Sequence, residues 1–210
     1  MSNNADASQQ SILVPELTPR YFAPGRRGAA ITPPEVTLAL ITDEDRFNVE
    51  ARRGKSAELI AAIAKAFGVS PIDRPVTVET DGVAFVGVGP ARWHTISRGE
   101  GRAGRRVRLI EAARPLATVV DVSHGFVTFR LSGPKARDAL AKLAHIDLDP
   151  ASFAAGACAG AALHGVNVQL RRSPDGAAFE CAAPRSFAAS VYHALIRAAD
   201  PYGLVVESLA

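Results

Sequence analysis

The stretch Thr118–Leu143, TVVDVSHGFVTFRLSGPKARDALAKL, decides the fold, because strand, tight turn and helix follow one another in it without a break. Val119, Val120 and Val122, then Phe126, Val127, Phe129 and Leu131, read as two strands rich in β-branched and aromatic side chains, broken at His124-Gly125. Ser132-Gly133-Pro134 ends the second strand. Ser132 is expected to cap a helix with Pro134 in its first turn. Ala136, Leu140 and Leu143 recur at helical spacing, so Lys135–Leu143 is expected to be an amphipathic helix. Patterning alone makes this a structural unit and assigns it no chemistry.

Upstream, Val36–Ile41 and Phe47–Ala51 read as strands on either side of the acidic turn Asp43-Glu44-Asp45, followed by a helix over Ser56–Phe67 that Gly68 closes. Downstream, Val166–Leu170 and Phe179–Ala182 flank Ser173-Pro174-Asp175-Gly176 and lead into a helix over Ser186–Ala199. Placing Phe47 over Phe179 brings Ala51 to Ala183, Arg53 to Arg185 and Ile63 to Leu195, which suggests a duplicated β-β-α unit. Between the two copies, Val76–Thr80 and Val83–Val88 flank Asp81-Gly82, a two-residue hairpin signal. Trp93–Ser97 continues as strand and Glu100–Arg114 as helix. The expected class is α+β, with antiparallel strands covered by helices in two similar β-β-α-containing halves, about residues 35–117 and 118–210.

Residues 1–34 stand apart. Pro15, Pro19, Pro24, Pro33 and Pro34 among arginines read as an extended N-terminal arm. Apolar Tyr21 and Phe22 in such a segment cover either the chain's own core or a partner. Both readings stay open, and Tyr21, Phe22, Arg26 and Arg27 are candidate partner contacts.

The whole chain has 210 residues, 48% of them apolar, enough to bury on the order of 70% of its unfolded surface. The opening MSNNADASQQS does not look like a signal segment, and no window approaches the roughly 18 apolar residues of a membrane span, so cytoplasm is the expected location. Cys158 and Cys181 lack zinc-motif spacing and are expected to be buried thiols. Gly54-Lys55-Ser56 resembles the end of a phosphate loop, but Val49 stands where its first glycine belongs. Gly87-Val88-Gly89 lacks the third glycine of a dinucleotide fingerprint and reads better as a hairpin turn.

Arg92, Arg98, Arg102, Arg105, Arg106, Arg108 and Arg114 form the one marked charge asymmetry of a chain whose net charge is +3. A solvated helix face, an acidic partner docked on Arg102, Arg105 and Arg106, or nucleic acid would each account for it. Nucleic acid is the least supported, because only Trp93 offers a stacking surface nearby. The five histidines show no metal-ligand spacing, and no metal site is expected. Asp121, Ser123 and His124 are expected to brace their turn by hydrogen bonds, and Gly133 and Pro134 to shape the next one.

DVSHG followed by FRLSGPKARDAL resembles the folate-binding aminomethyltransferase family, which includes the T-protein of glycine cleavage. IDLDP at Ile146–Pro150, GACA at Gly156–Ala159 and APRSFAASVYHAL at Ala183–Leu195 make the chain similar to one branch of that family, the gamma subunits of heterotetrameric sarcosine oxidases. The resemblance implies the family's α+β fold and places the DVSH turn near a folate-like pocket or its remnant. Catalytic members carry an acidic pair in the strand that here reads LHGVNVQL, and Val166-Asn167-Val168 supplies no carboxylate base. An accessory chain with no catalytic or cofactor-binding residues of its own is therefore implied. Its implied partners are larger alpha and beta subunits and a small delta subunit, with FAD, FMN, NAD and tetrahydrofolate held by the other subunits. Such an assembly oxidatively demethylates sarcosine to glycine, yielding hydrogen peroxide and either formaldehyde or 5,10-methylenetetrahydrofolate. The alternatives are a stand-alone folate-binding protein or aminomethyltransferase, and an RNA-associated basic protein.

Overall fold

A computed structural model describes residues 22–208. In chain order the elements are β1 (Gly25–Arg27), β2 (Val36–Ile41), β3 (Glu44–Ala51), α1 (Ser56–Phe67), β4 (Thr77–Thr80), β5 (Val83–Gly89), β6 (Arg92–Arg98), α2 (Arg102–Ala113), β7 (Ala117–Asp121), β8 (Phe126–Ser132), α3 (Ala136–Ala141), β9 (Cys158–Leu163), β10 (Val166–Arg172), β11 (Ala178–Pro184), α4 (Ala188–Ala199) and β12 (Leu204–Ser208). The strands form two sheets, a large one in the order β1-β12-β2-β8-β11-β10-β9 and a small one in the order β4-β5-β6-β3-β7. All neighbours pair antiparallel except β12 and β2. The class is α+β, and each sheet contains a β-β-α series, β5-β6-α2 in the small sheet and β10-β11-α4 in the large.

The phase of the repeat differs from the one suggested by placing Phe47 over Phe179. By topology β3-α1 corresponds to β8-α3, and β4-β5-β6-α2 to β9-β10-β11-α4. Alanine-rich helices align in more than one phase, and only strand pairing separates the alternatives. Nor do β2 and β3 form a hairpin around Asp43-Glu44-Asp45. β2 inserts between β8 and β12 of the large sheet, whereas β3 lies in the small one, so the acidic turn is a crossover. Asp121–Phe126 is a second crossover, from β7 of the small sheet to β8 of the large. The sheets thus do not divide the chain cleanly near residue 117.

Period-2 alternation gives each sheet an apolar outer face. Phe47, Val49, Phe85 and Trp93 pack under α1 and α2 with Leu59, Ile63 and Leu109. Phe129, Leu131, Leu170 and Cys181 pack under α3 and α4 with Leu140, Val191 and Leu195. The helices therefore cover the outside of two sheets that face each other. Phe22 belongs to the second core, its ring 4.5 Å from that of Tyr192 and 5.9 Å from that of Phe129. Of the two readings for the arm, Phe22 takes the intramolecular one, and β1 pairs with β12. Tyr21 lies outside the described residues.

Local chemistry corrects three further expectations. Ser132 does not cap α3, because its backbone is held in β8 between Thr37 and Ala178. The helix stops at Ala141, where Lys142 N–H turns back to the Ala139 carbonyl and Leu143 N–H to that of Leu140. Gly87 and Gly89 lie in β5, and the turn is Pro90-Ala91. A Cβ on Gly87 would stand 1.9 Å from the Arg74 carbonyl oxygen, so close backbone approach accounts for that glycine.

Candidate functional site: the charged seam between the sheets

The same alternation that sends Phe47, Val49 and Trp93 outward turns Glu44, Arg46, His94 and Arg98 inward from β3 and β6. Facing them from the large sheet are Thr128 and Arg130 of β8, Arg171 of β10 and Glu180 of β11. Arg46, Arg171 and Glu180 are only 1%, 5% and 2% exposed. Buried charge on this scale survives only where it is paired and hydrogen-bonded.

Glu180 is the hub. Arg98 donates to its two oxygens at 2.9 and 2.7 Å, Arg171 donates Nε and Nη2 at 3.1 and 2.7 Å, and Arg130 adds a bond of 3.2 Å. Arg171 also reaches Glu79 at 2.6 Å. Glu44 is the second hub, receiving Arg46 at 2.8 Å, Arg98 at 3.1 and 2.7 Å and the Thr128 hydroxyl at 2.7 Å. Burial alone would raise both carboxyls. The guanidinium groups overcome it, drawing Glu180 down to about 2 and holding Glu44 below the usual carboxylate range. Burial, reinforced by Arg46 and Arg92, lowers His94 to about 4, so its imidazole is neutral at pH 7.

The two crossovers meet at the edge of this seam. Ser123 donates its hydroxyl to Asp121 Oδ1 at 2.6 Å, its N–H donates to the same oxygen at 3.0 Å, and its hydroxyl oxygen accepts the Arg46 N–H at 2.9 Å. Val122 N–H donates to the Arg46 carbonyl at 2.9 Å. His124 contributes its backbone carbonyl, which accepts Arg185 Nε at 2.8 Å. Gly133 adopts φ +100° beside the Glu35 carbonyl, and Lys135 N–H donates to that same oxygen at 3.1 Å. Pro134 completes that turn ahead of α3.

Arg98 of the sequence's arginine cluster thus enters the seam, whereas the candidate partner contacts lie elsewhere. Arg102 pairs with Asp43 and, at 3.9 Å, with Asp45. Arg105 Nε donates to Ser97 Oγ at 2.7 Å, and Arg106 stacks 5.5 Å from the Phe47 ring centre and lies 3.5 Å from Asp121. These three brace α2 and both crossovers from outside and do not enter the seam. Arg26 is exposed on β1, and Arg27 donates to the Ala23 carbonyl at 3.1 Å. Asn167 is exposed on β10, paired with Ala162. The residues that make the seam, Glu44, Arg46, Arg98, Arg171 and Glu180, were missed as a group by sequence reasoning. The available signal was the charge at every second position of strands whose other face is apolar.

Two spaces border the network. An open cleft of about 370 Å³ is lined by Glu79, Asp81, Gly82, Ile96, Arg98 and Arg171. Inside it, Arg46, Thr128, Gln169, Arg171 and Glu180 leave only about 10 Å³, room for about one water molecule. A pterin-sized ring does not fit there, and the carboxylates that might have bound it are already committed to guanidinium groups. The arrangement ties two sheets together; with both glutamates ionised and fully engaged, it offers no carboxyl general acid at neutral pH.

Residues 77–209, more than half of the chain, match the profile of the GCVT N-terminal domain. The chain belongs to that family. No curated protein sequence matches it. Among solved structures it is similar to a chain of the heterotetrameric sarcosine oxidase from Corynebacterium sp. U-96, with a TM-score of 0.71 and 24% identity over 84% of this chain and 88% of that one. It is also similar to the glycine cleavage system aminomethyltransferase T from Bartonella henselae, with a TM-score of 0.60 and 15% identity. That match covers 84% of this chain but 48% of the aminomethyltransferase, so this chain spans about half of it. At these identities the likeness establishes the shared aminomethyltransferase-like fold.

Proposed function

We propose that this chain is an accessory, non-catalytic subunit of a heterotetrameric sarcosine oxidase, corresponding to the gamma subunit. The assembly would oxidatively demethylate sarcosine to glycine, with hydrogen peroxide and formaldehyde or 5,10-methylenetetrahydrofolate as the other products. The observation that carries this reading is the filled seam, where the ion network around Glu180 and Glu44 occupies the space between the sheets. The match over most of both chains to one chain of such an oxidase supports it, as does the half-length match to an aminomethyltransferase. The uncharged Val166-Asn167-Val168 agrees with it. FAD, FMN, NAD and tetrahydrofolate belong, in this reading, to the partner alpha, beta and delta subunits. Intramolecular engagement of Arg102, Arg105 and Arg106 speaks against the RNA-associated alternative.

The test is native mass spectrometry of the tagged chain purified from its own host, with an absorbance scan and a calorimetric titration of the isolated chain with tetrahydrofolate. A stoichiometric complex with flavin absorbance and no folate heat from the isolated chain is the expected result. A colourless monomer that binds tetrahydrofolate would instead establish the stand-alone folate-binding reading.

A further inference from the structure

A second cleft, of about 580 Å³, lies on the opposite side of the large sheet, where α4 meets the end of α3 and the β9–β10 turn. Its ionisable lining is entirely basic, namely Lys142, His164, His193 and Arg197, and none of the described lining residues is acidic. Its floor is apolar, with Ala194 and Ala198 one helical turn apart on α4.

The fold sets the position of two of the basic residues. Lys142 Nζ donates to the Ala198 carbonyl at 3.0 Å and sits 4.2 Å from the Tyr202 ring centre. His164 occupies the first position of the two-residue turn between β9 and β10, with φ +48° followed by +80° at Gly165. Such turns favour asparagine or glycine there, so a histidine in this left-handed position is uncommon, and it is one that lines the cleft. A side chain anchored as Lys142 is loses little conformational freedom when a ligand binds.

We propose that this cleft receives an acidic amphipathic segment of a larger partner subunit, its apolar side chains against Ala194 and Ala198 and its carboxylates against Lys142, His164 and Arg197. The apolar floor selects this occupant. A free phosphate would want donors at the bottom of its site, and a nucleic acid would want a stacking ring, whereas the nearby Tyr202 is already covered by Lys142. Small alanines on the floor allow an incoming helix or strand to approach α4 closely. The proposal rests on the subunit reading above and assigns the surface through which the chain is held.

Carbodiimide cross-linking of the complex purified from its host tests it directly. Lys142 is expected to join an Asp or Glu of a larger subunit. The double variant Arg197→Glu/His164→Glu is expected to lower recovery of the complex roughly tenfold, because like charges would then face each other, while Arg197→Lys keeps it. Thermal melting of the isolated variants establishes that they fold, and the cross-link in the unaltered complex stands whether or not they do. A complex recovered at unchanged stoichiometry with the double variant, and with Lys142 unlinked, would overturn the cleft assignment and leave the subunit reading in place. Recovery of the wild-type chain alone would overturn both. A homodimer dissolved by the double variant would make the occupant a second copy and overturn the proposal.

Discussion

Arg98 of β6 and Glu180 of β11 meet through two near-parallel hydrogen bonds of 2.9 and 2.7 Å, one ion pair joining the small sheet to the large. The pair is not isolated, since Glu180 also accepts from Arg171 and Arg130, and Arg98 also donates to Glu44. Removing one partner would therefore disturb the whole network.

Glu180→Gln is expected to destabilise the protein by about 3–5 kcal/mol, because it removes the buried carboxylate on which Arg98, Arg171 and Arg130 converge. Urea denaturation at pH 7 measures this. Glu58→Gln on the exposed face of α1, where Lys55 pairs in solvent, is expected to cost less than about 0.5 kcal/mol under the same conditions.

Stability falls on acidification in two windows. His94 is depressed from 6.5 to about 4, so the unfolded chain binds that proton first, and stability present above pH 6.5 is lost as pH falls toward 4. The loss is on the order of 3 kcal/mol, and His94→Gln is expected to flatten the curve in that range. Glu180, depressed from 4.5 to about 2, contributes stability that is full above pH 4.5 and lost as pH falls through 2. Denaturation midpoints at pH 7, 5.5, 4 and 3 would separate the windows.

Gly133→Ala is expected to cost about 2–3 kcal/mol, since φ is +100° and the new Cβ would stand 2.5 Å from the Glu35 carbonyl oxygen. Gly125→Ala, in the neighbouring turn, has nothing within 4 Å of its Cβ and is expected to change stability by less than about 0.5 kcal/mol. Thermal melting of the two variants side by side checks the contrast.

Burial pushes the Cys158 thiol up to about 11 and that of Cys181 up to about 12. Both are expected to resist iodoacetamide at pH 8 in the folded protein and to react in urea, because the thiolate is the reactive form. Mass spectrometry of the alkylated chain counts the modified thiols, and rapid native labelling of Cys181 would contradict its burial against Phe129 and Leu170.

The DVSH and Gly-Pro turns, the Asp81-Gly82 hairpin, the helix over Ser56–Phe67 and a helix within Glu100–Arg114 were legible in the chain, because each depends on residues a few positions apart. Alternation likewise marked one face of each strand as apolar. Sheet membership was not legible. That β2 leaves β3 and lies between β8 and β12 depends on pairing with strands far away in the chain, for which local pattern carries no signal. The seam was hidden for a related reason. Glu44, Arg46, Arg98, Arg171 and Glu180 look like ordinary solvent-facing residues on strands with one apolar side, and only the other sheet, packed against their polar side, buries them. The sequence by itself thus determined the local elements, the α+β class and the family resemblance. Tertiary packing decided which charges lost their water and paired across the seam, because desolvation depends on every surface that closes over a group and not on its neighbours along the chain.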